Sequence, residues 1–442
     1  MWWPSAVRSW CGAIRKDERL GDAASAAGTE SNRRPMIYNF DQEIDRRGTN
    51  AAKWDVVKQG NRFMPVDKMP PDPHGRRLLP LWVADMDFTC PQPVIDALAA
   101  RVQHGIFGYG WPGPAYFQAV VDWMARRHGW TVEPDWIVPT PGVVPALNML
   151  VRTFAAPGQR VVVQPPVYYP FYTAVSNNAA VLAQNPLLIV DGRYSMDYAG
   201  LEALLAEPDV SMLILCSPHN PVGRVWTVDE LRRLGELCLA HDVLVVADEI
   251  HGDLIYPGQR FTPYATLGEA FAAKAVICSA PSKTFNLAGL ATSNIIFPNR
   301  ELRVRFERTL NCNGLHGVNT FGMVALQAAY AHGEEWLAQV MDYIAGNLRY
   351  LQAYVAEHLP QITVVDPEGT YLVWLDCRGL GLDKDALEQL MLGEARVFLD
   401  EGYVFGPEGE GFERINIACP RSILAEALGR IKIAVDRLPH VT

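Results

Sequence analysis

A lysine that closes an apolar run among small residues and a proline is a candidate nucleophile. Lys283 follows Ala275-Val-Ile-Cys278 and sits in Ala280-Pro-Ser-Lys-Thr-Phe-Asn286. An unprotonated amine at such a point can form a Schiff base with an aldehyde. Asp248 follows the apolar run Val243-Leu-Val-Val-Ala247, where a carboxylate can keep a basic ring nitrogen protonated. Asn220, in Asn220-Pro-Val-Gly223, offers a neutral donor for a phenolic oxygen. Thr140-Pro-Gly-Val-Val-Pro145 opens an apolar helical stretch, so the free amides at Gly142 and Val143 suit a phosphate. Tyr168 or Tyr169 supplies an aromatic lid. Aldehyde, ring nitrogen, phenolic oxygen and phosphate belong together in one cofactor, pyridoxal 5'-phosphate (PLP).

Each residue taken alone has a plainer reading. A single lysine is most often solvated, Asp248 can cap a helix, Asn220 can start a turn before Pro221, and Gly142 can be a turn glycine. Arg414 can be a surface strand residue, and Tyr168 and Tyr169 core aromatics. His251 reads equally as a core histidine or a substrate contact. Cys216 and Cys278 read as buried strand residues. The combination carries the argument, since open α/β sheets bind ligands beyond the carboxyl ends of their strands.

The elements needed to position these groups are visible. Residues 161–164, 212–216, 243–247 and 275–278 are short, continuous apolar runs, the pattern of strands buried on both faces. Thr227-Val-Asp-Glu230 is a capping box ahead of a stripe formed by Leu231, Leu234 and Leu237. The unit is βαβ, and the class is α/β with a mostly parallel sheet. After residue 320 the pattern changes to a helical stretch over 321–359, broken near His332-Gly333. Apolar runs at 371–375 and 414–418 follow, with a helix expected over 384–401 between them. These form a smaller α+β domain.

Composition bounds the function. The 442 residues are 49% hydrophobic and 20% charged, with a formal net charge of −10 and pI near 5.5. That balance disfavours nucleic acid and anionic membrane surfaces as partners. No apolar run approaches the length of a membrane-spanning helix. Eight cysteines and ten histidines are dispersed, with no CxxC pair, so no metal site is indicated. Scattered cysteines of this kind suit a reducing, cytoplasmic setting. Residues 1–35 carry no sustained periodicity and read as a disordered N-terminal extension.

Several motifs together resemble a known family. Asn220-Pro-Val-Gly223, Ala247-Asp-Glu249 and Ser282-Lys283, separated by 28 and 35 residues, resemble the signatures of fold-type I PLP enzymes, the aspartate aminotransferase superfamily. Four further stretches point to one branch. They are Asp45-Arg-Arg-Gly-Thr-Asn50 with Lys53-Trp-Asp55, Leu81-Trp-Val-Ala-Asp-Met-Asp-Phe88, Asp248-Glu-Ile-His251 and Ala280-Pro-Ser-Lys-Thr-Phe-Asn286. These resemble the MalY/PatB group of cystathionine β-lyases, or C–S lyases, over residues 37–438.

The resemblance implies a large PLP-binding domain over 89–320 with a seven-stranded sheet. It implies a small domain built from an N-terminal segment, 36–88, and a C-terminal part, 321–442. It implies a homodimer with the site at the interface and a small-molecule amino-acid substrate. Lys283 would hold PLP covalently, Asp248 would pair with the ring nitrogen, and Asn220 with the ring oxygen. Tyr168 would stack on the ring, and Tyr109 would reach the phosphate of the neighbouring subunit. Arg414 would fork onto the substrate carboxylate, with Tyr169 beside it. Aminotransferases of the superfamily usually place an arginine a few residues beyond the lysine. Residues 284–290 contain none, which leaves the phosphate to Gly142, Val143, Tyr109 and the hydroxyls of Ser279 or Ser282. The implied reaction is β-elimination from cystathionine and related thioethers. The rival readings are an aminotransferase using the same residues, and a regulatory protein that binds a transcription factor.

Overall fold

The structure is a computed structural model that describes residues 36–59, 62–315 and 317–438. The extension expected over residues 1–35 lies outside the described residues. Among these, seven strands form one sheet. Their order is Ile137–Thr140, Ser293–Ile296, Ala275–Ser279, Leu244–Asp248, Val210–Cys216, Arg160–Val163 and Val181–Gln184. Six share one direction, and Ser293–Ile296 runs antiparallel to both of its neighbours.

Successive side chains on a strand point to opposite faces, and both faces of this sheet are covered. Leu213, Leu215, Val245, Ala247 and Ile277 enter one apolar cluster; Met212, Ile214, Leu244, Val246 and Val276 enter the other. That double burial is why these strands read as continuous apolar runs. The Val228–Ala240 helix starts where the capping box places it. Thr227 Oγ1 accepts from the Glu230 amide at 3.2 Å, and Glu230 Oε2 accepts from the Thr227 amide at 2.8 Å.

Helices Thr320–His332 and Glu334–His358 follow, interrupted at Gly333. A second, four-stranded antiparallel sheet orders Thr363–Val364, Leu372–Asp376, Phe412–Asn416 and Asp400–Glu401. The helix expected over 384–401 is shorter than its pattern suggested. Lys384–Glu388 is α-helical and Gln389–Glu394 widens to a π-helical turn. Arg396 then takes a left-handed φ of 58°, and Val397–Phe398 leaves as a strand. The strand wins because it pairs in parallel with Leu79–Pro80, far away in sequence. No helix among the described residues is long and apolar enough to cross a membrane.

Candidate active site

Five strand ends converge on one cavity of about 170 Å3, which Asn220, Asp248, Lys283, Gly142, Val143, Tyr168 and Ser282 help to line. Asp248 ends the Leu244–Asp248 strand and stands in register between Cys216 and Cys278. Lys283 stands on a short helix, Pro281–Thr284, just past Ala275–Ser279. Asn220 lies in the turn after Val210–Cys216. Gly142 caps the Val143–Phe154 helix with a φ of 138°, a conformation that side chains oppose. No side chain caps that helix, so its first amides stay free for an anion.

The electrostatics follow from burial. Asp248 is 3% exposed. Burial pushes its carboxyl up from 3.8 to about 7, against the pull of the Ile250 amide, which donates to Asp248 Oδ1 at 3.3 Å, and of Lys283. Burial lowers the Lys283 amine from 10.5 to about 8, the nearby charge of Asp85 opposing the shift. Its Nζ donates to the Ala84 carbonyl at 2.7 Å. His251 lines the same cavity, and its buried Nδ1 has no hydrogen-bond partner. Burial, then the charges of Lys283 and Arg414, hold this imidazole neutral, down to about 3. Asn220 Oδ1 accepts from Arg414 Nη1 at 3.0 Å, which leaves the Asn220 amide nitrogen as its free donor.

Other expected residues stand elsewhere. Ser279 is not part of the cavity wall; its hydroxyl interacts with Tyr330. Ser282 is part of that wall. Tyr169 lies outside it, edge-on to Phe405 at 5.8 Å. Arg414 is reached only through Asn220 and is held by Asp400 and the Trp82 carbonyl. Tyr109 is fully exposed and touches none of these groups. Ala288, within the arginine-free stretch 284–290, lines the cavity, as do Ala291 and Thr292.

The structure also explains residues that sequence reading used only as markers. The Ala84 carbonyl belongs to residues 83–88, and distant side chains clamp that segment. Arg46 binds Asp85 at 2.8 Å and Asp87 at 2.6 Å, while the fully buried Lys53 binds Asp87 at 2.7 Å. Trp54 Nε1 donates to Asp87 Oδ1 at 2.8 Å. Asn286 donates to the carbonyls of Met86 and Phe88 at 2.9 Å, and Asn416 to those of Val83 and Asp85 at 2.7 and 2.6 Å. Tyr371 adds its hydroxyl to the Ala84 carbonyl at 2.9 Å. The signal available in the sequence was two basic residues, Arg46 and Lys53, facing two acids, Asp85 and Asp87.

The donor set fits PLP. A buried carboxylate that resists ionisation wants a cationic partner, which a protonated ring nitrogen provides. A depressed amine is ready to attack an aldehyde. Free helix amides and the Ser282 hydroxyl suit a phosphate.

This arrangement is that of a fold-type I PLP enzyme. Residues 77–431 match the aminotransferase class I and II family, and the chain belongs to it, within the MalY/PatB group. It is 46% identical over 398 residues to cystathionine beta-lyase PatB of Bacillus subtilis, covering 90% of this chain and 100% of that protein. Cystalysin of Treponema denticola, whose crystal structure contains PLP, is 38% identical with a TM-score of 0.85, over 91% of this chain and 100% of that one. A PLP-bound C–S lyase from Staphylococcus hominis is 32% identical with a TM-score of 0.81, over 90% and 98%. The cofactor of this chain is pyridoxal phosphate.

Proposed function

We propose that the chain is a carbon–sulfur lyase that cleaves the Cβ–S bond of cystathionine and related cysteine thioethers. With one water consumed, the products are a thiol, pyruvate and ammonia. The observation that carries this reading is the meeting of Lys283, Asp248 and Asn220 in one cavity of a chain so similar to a cystathionine beta-lyase.

When bound, PLP supplies an electron sink conjugated to the substrate Cα. The rest is done by this chain. Asp248 would pair its buried carboxylate at the strand end with a cationic ring nitrogen. Asn220, its oxygen held by Arg414, would offer its amide N–H groups to the ring oxygen. Gly142, Val143 and Ser282 would hold the phosphate. Lys283 Nζ, lowered by burial, is able to accept the Cα proton near neutral pH. The Ala84 carbonyl gives the resulting ammonium a hydrogen-bond acceptor. Arg414 would anchor the substrate carboxylate and Tyr168 would cover the ring, which together would set the direction of the C–S bond.

The active form is a homodimer. Ile106, Phe107, Tyr109 and Trp111 form an exposed apolar loop that a second copy would cover, bringing Tyr109 to the neighbour's phosphate. Residues 36–88 and 321–442 act as one smaller domain, as the pairing of Leu79–Pro80 with Val397–Phe398 supports. The free, mostly buried cysteines suit a reducing cytoplasmic setting. The deciding experiment compares pyruvate and thiol release from cystathionine with amino-group exchange between alanine or aspartate and 2-oxoglutarate. Faster exchange than pyruvate release, with every thioether tried, would replace the lyase by an aminotransferase.

A further inference from the structure

Lys283 is held at both ends. Its Nζ donates to the Ala84 carbonyl, while its backbone belongs to Pro281–Thr284, a helix of four residues that no side chain caps. So short a helix is not stable by itself, and its direction must be imposed from outside. The residue after the lysine, Thr284, is fully buried and, unlike Lys283 and Ser282, does not line the cavity. Its Oγ1 donates to Asp253 Oδ2 at 2.8 Å.

Asp253 follows Asp248 by five residues, so this contact ties the segment leaving the Leu244–Asp248 strand to the segment that carries Lys283. The carboxylate is buried, and its other neighbours come from the Pro114–His128 helix. Trp123 Nε1 donates to Oδ2 at 3.3 Å, and His128 Nε2 and Arg127 Nε lie 3.0 and 3.6 Å from Oδ1. Arg127 Nη2 also donates to the Asp253 carbonyl at 3.1 Å. Burial pushes this carboxyl up, but His128, Thr284 and Arg127 outweigh it and hold the group below its ordinary value. The acceptor of the Thr284 hydroxyl is therefore charged, and such a bond is stronger than a neutral one. Trp123 packs edge-on to Phe285, the residue after Thr284, with ring centres 5.4 Å apart. Asp253 itself is not part of the cavity wall, so it reaches the chemistry through Thr284 and the lysine beside it.

We propose that Asp253 is a positioning residue for Lys283. By accepting from Thr284 it fixes the direction in which the neighbouring lysine leaves the backbone, and with it the approach of Nζ to the cofactor aldehyde and to the substrate Cα. The proposal rests on the reading that Lys283 holds the cofactor and takes the Cα proton.

The test separates binding of the cofactor from its bond to Lys283, in which the amine condenses with the aldehyde and one water leaves. 4'-Deoxypyridoxine 5'-phosphate has the ring and phosphate of PLP without the aldehyde, so it reports on the rest of the site. Thr284→Val keeps the shape and removes the donor, whereas Thr284→Ser keeps the donor. In cofactor-stripped protein, Thr284→Val should bind the deoxy analogue within about threefold of wild type, yet form the borohydride-fixable bond to PLP about tenfold more slowly. In the PLP-loaded enzyme it should lower kcat for cystathionine about tenfold, with KM changed less than about threefold. Thr284→Ser should stay within about threefold of wild type throughout. Asp253→Asn keeps an acceptor and removes the charge. It should slow bond formation about threefold by itself, and in that background Thr284→Val should cost less than about threefold, because the bond it removes is already weakened. A residue that only supports the fold would weaken the deoxy analogue and PLP alike, and that result overturns the proposal. So does bond formation at the wild-type rate in Thr284→Val, or an equal Thr284→Val penalty with and without the Asp253 charge. If Thr284→Val does not fold, Asp253→Asn decides alone, and an unchanged rate of bond formation in it overturns the proposal. Lys283→Ala separates the two layers. If borohydride still fixes PLP to that variant, the reading of Lys283 falls and the proposal with it. If fixation is lost there while Thr284→Val behaves as wild type, only the role of Asp253 falls.

Discussion

Replacing Asp248 by asparagine should stabilise the cofactor-free protein at alkaline pH while removing most of the activity. Burial raises this carboxyl from 3.8 to about 7, a change of about three pKa units at about 1.4 kcal/mol each, or about 4 kcal/mol against the ionised form. The folded-state pKa lies above the unfolded one, so the folded protein binds this proton more tightly. Stability is therefore lost as pH rises from about 4 to about 7. Asparagine cannot ionise and still accepts from the Ile250 amide. Its own N–H groups are left without an acceptor, at a cost of about 1–3 kcal/mol. The net gain is about 1–3 kcal/mol at pH 8, and close to zero at pH 5, where only about 1.6 kcal/mol of the ionisation penalty has accrued. Thermal melting of cofactor-stripped wild type and Asp248→Asn at both pH values measures it. The variant should melt a few degrees higher at pH 8 (about 2–5 °C) and at a similar temperature at pH 5. With PLP restored, its activity should fall about 100-fold or more, because the charge that supports the electron sink is gone. A variant that is less stable at pH 8, or that differs equally at both pH values, would refute the argument that burial strains this carboxylate.

Lys283→Ala should lose turnover by several orders of magnitude, and borohydride should no longer fix the cofactor to the chain, as intact-mass measurement would show; a near-normal rate would remove Lys283 from the mechanism. Lys53→Met strands Asp87 with Arg46 and Trp54 as its remaining partners and should cost about 3–5 kcal/mol in denaturant unfolding. A loss under about 1 kcal/mol would show that the clamp on residues 83–88 is held by its backbone contacts instead. Subunit exchange between Tyr109→Phe and Lys283→Ala chains should restore about one working site per hybrid dimer. No recovery after exchange is verified by mass would place Tyr109 outside the partner's site.

The sequence by itself determined the architecture and the core of the site. Continuous apolar runs required strands buried on both faces, and a residue at the carboxyl end of such a strand must open toward a ligand crevice. Asp248, Asn220, Lys283, Gly142 and Val143 were legible as lining such a crevice for that reason, because residue type and position relative to a strand end are local properties. Tertiary structure decided what depends on side-chain direction and on contacts between distant segments. Ser279 and Ser282 are three residues apart, yet one faces Tyr330 and the other the cavity. His251 belongs to the Asp248-Glu-Ile-His251 motif, but only packing placed it in the cavity wall. Residues 384–401 had helical periodicity, and pairing with Leu79–Pro80 turned their end into a strand. The clamp of Arg46 and Lys53 on Asp85 and Asp87, and the pairing of Asp400 with Arg414, bring together polar groups from separate segments. No local period specifies such pairs, since their partners are chosen by burial, where an unpaired charge is too costly to leave.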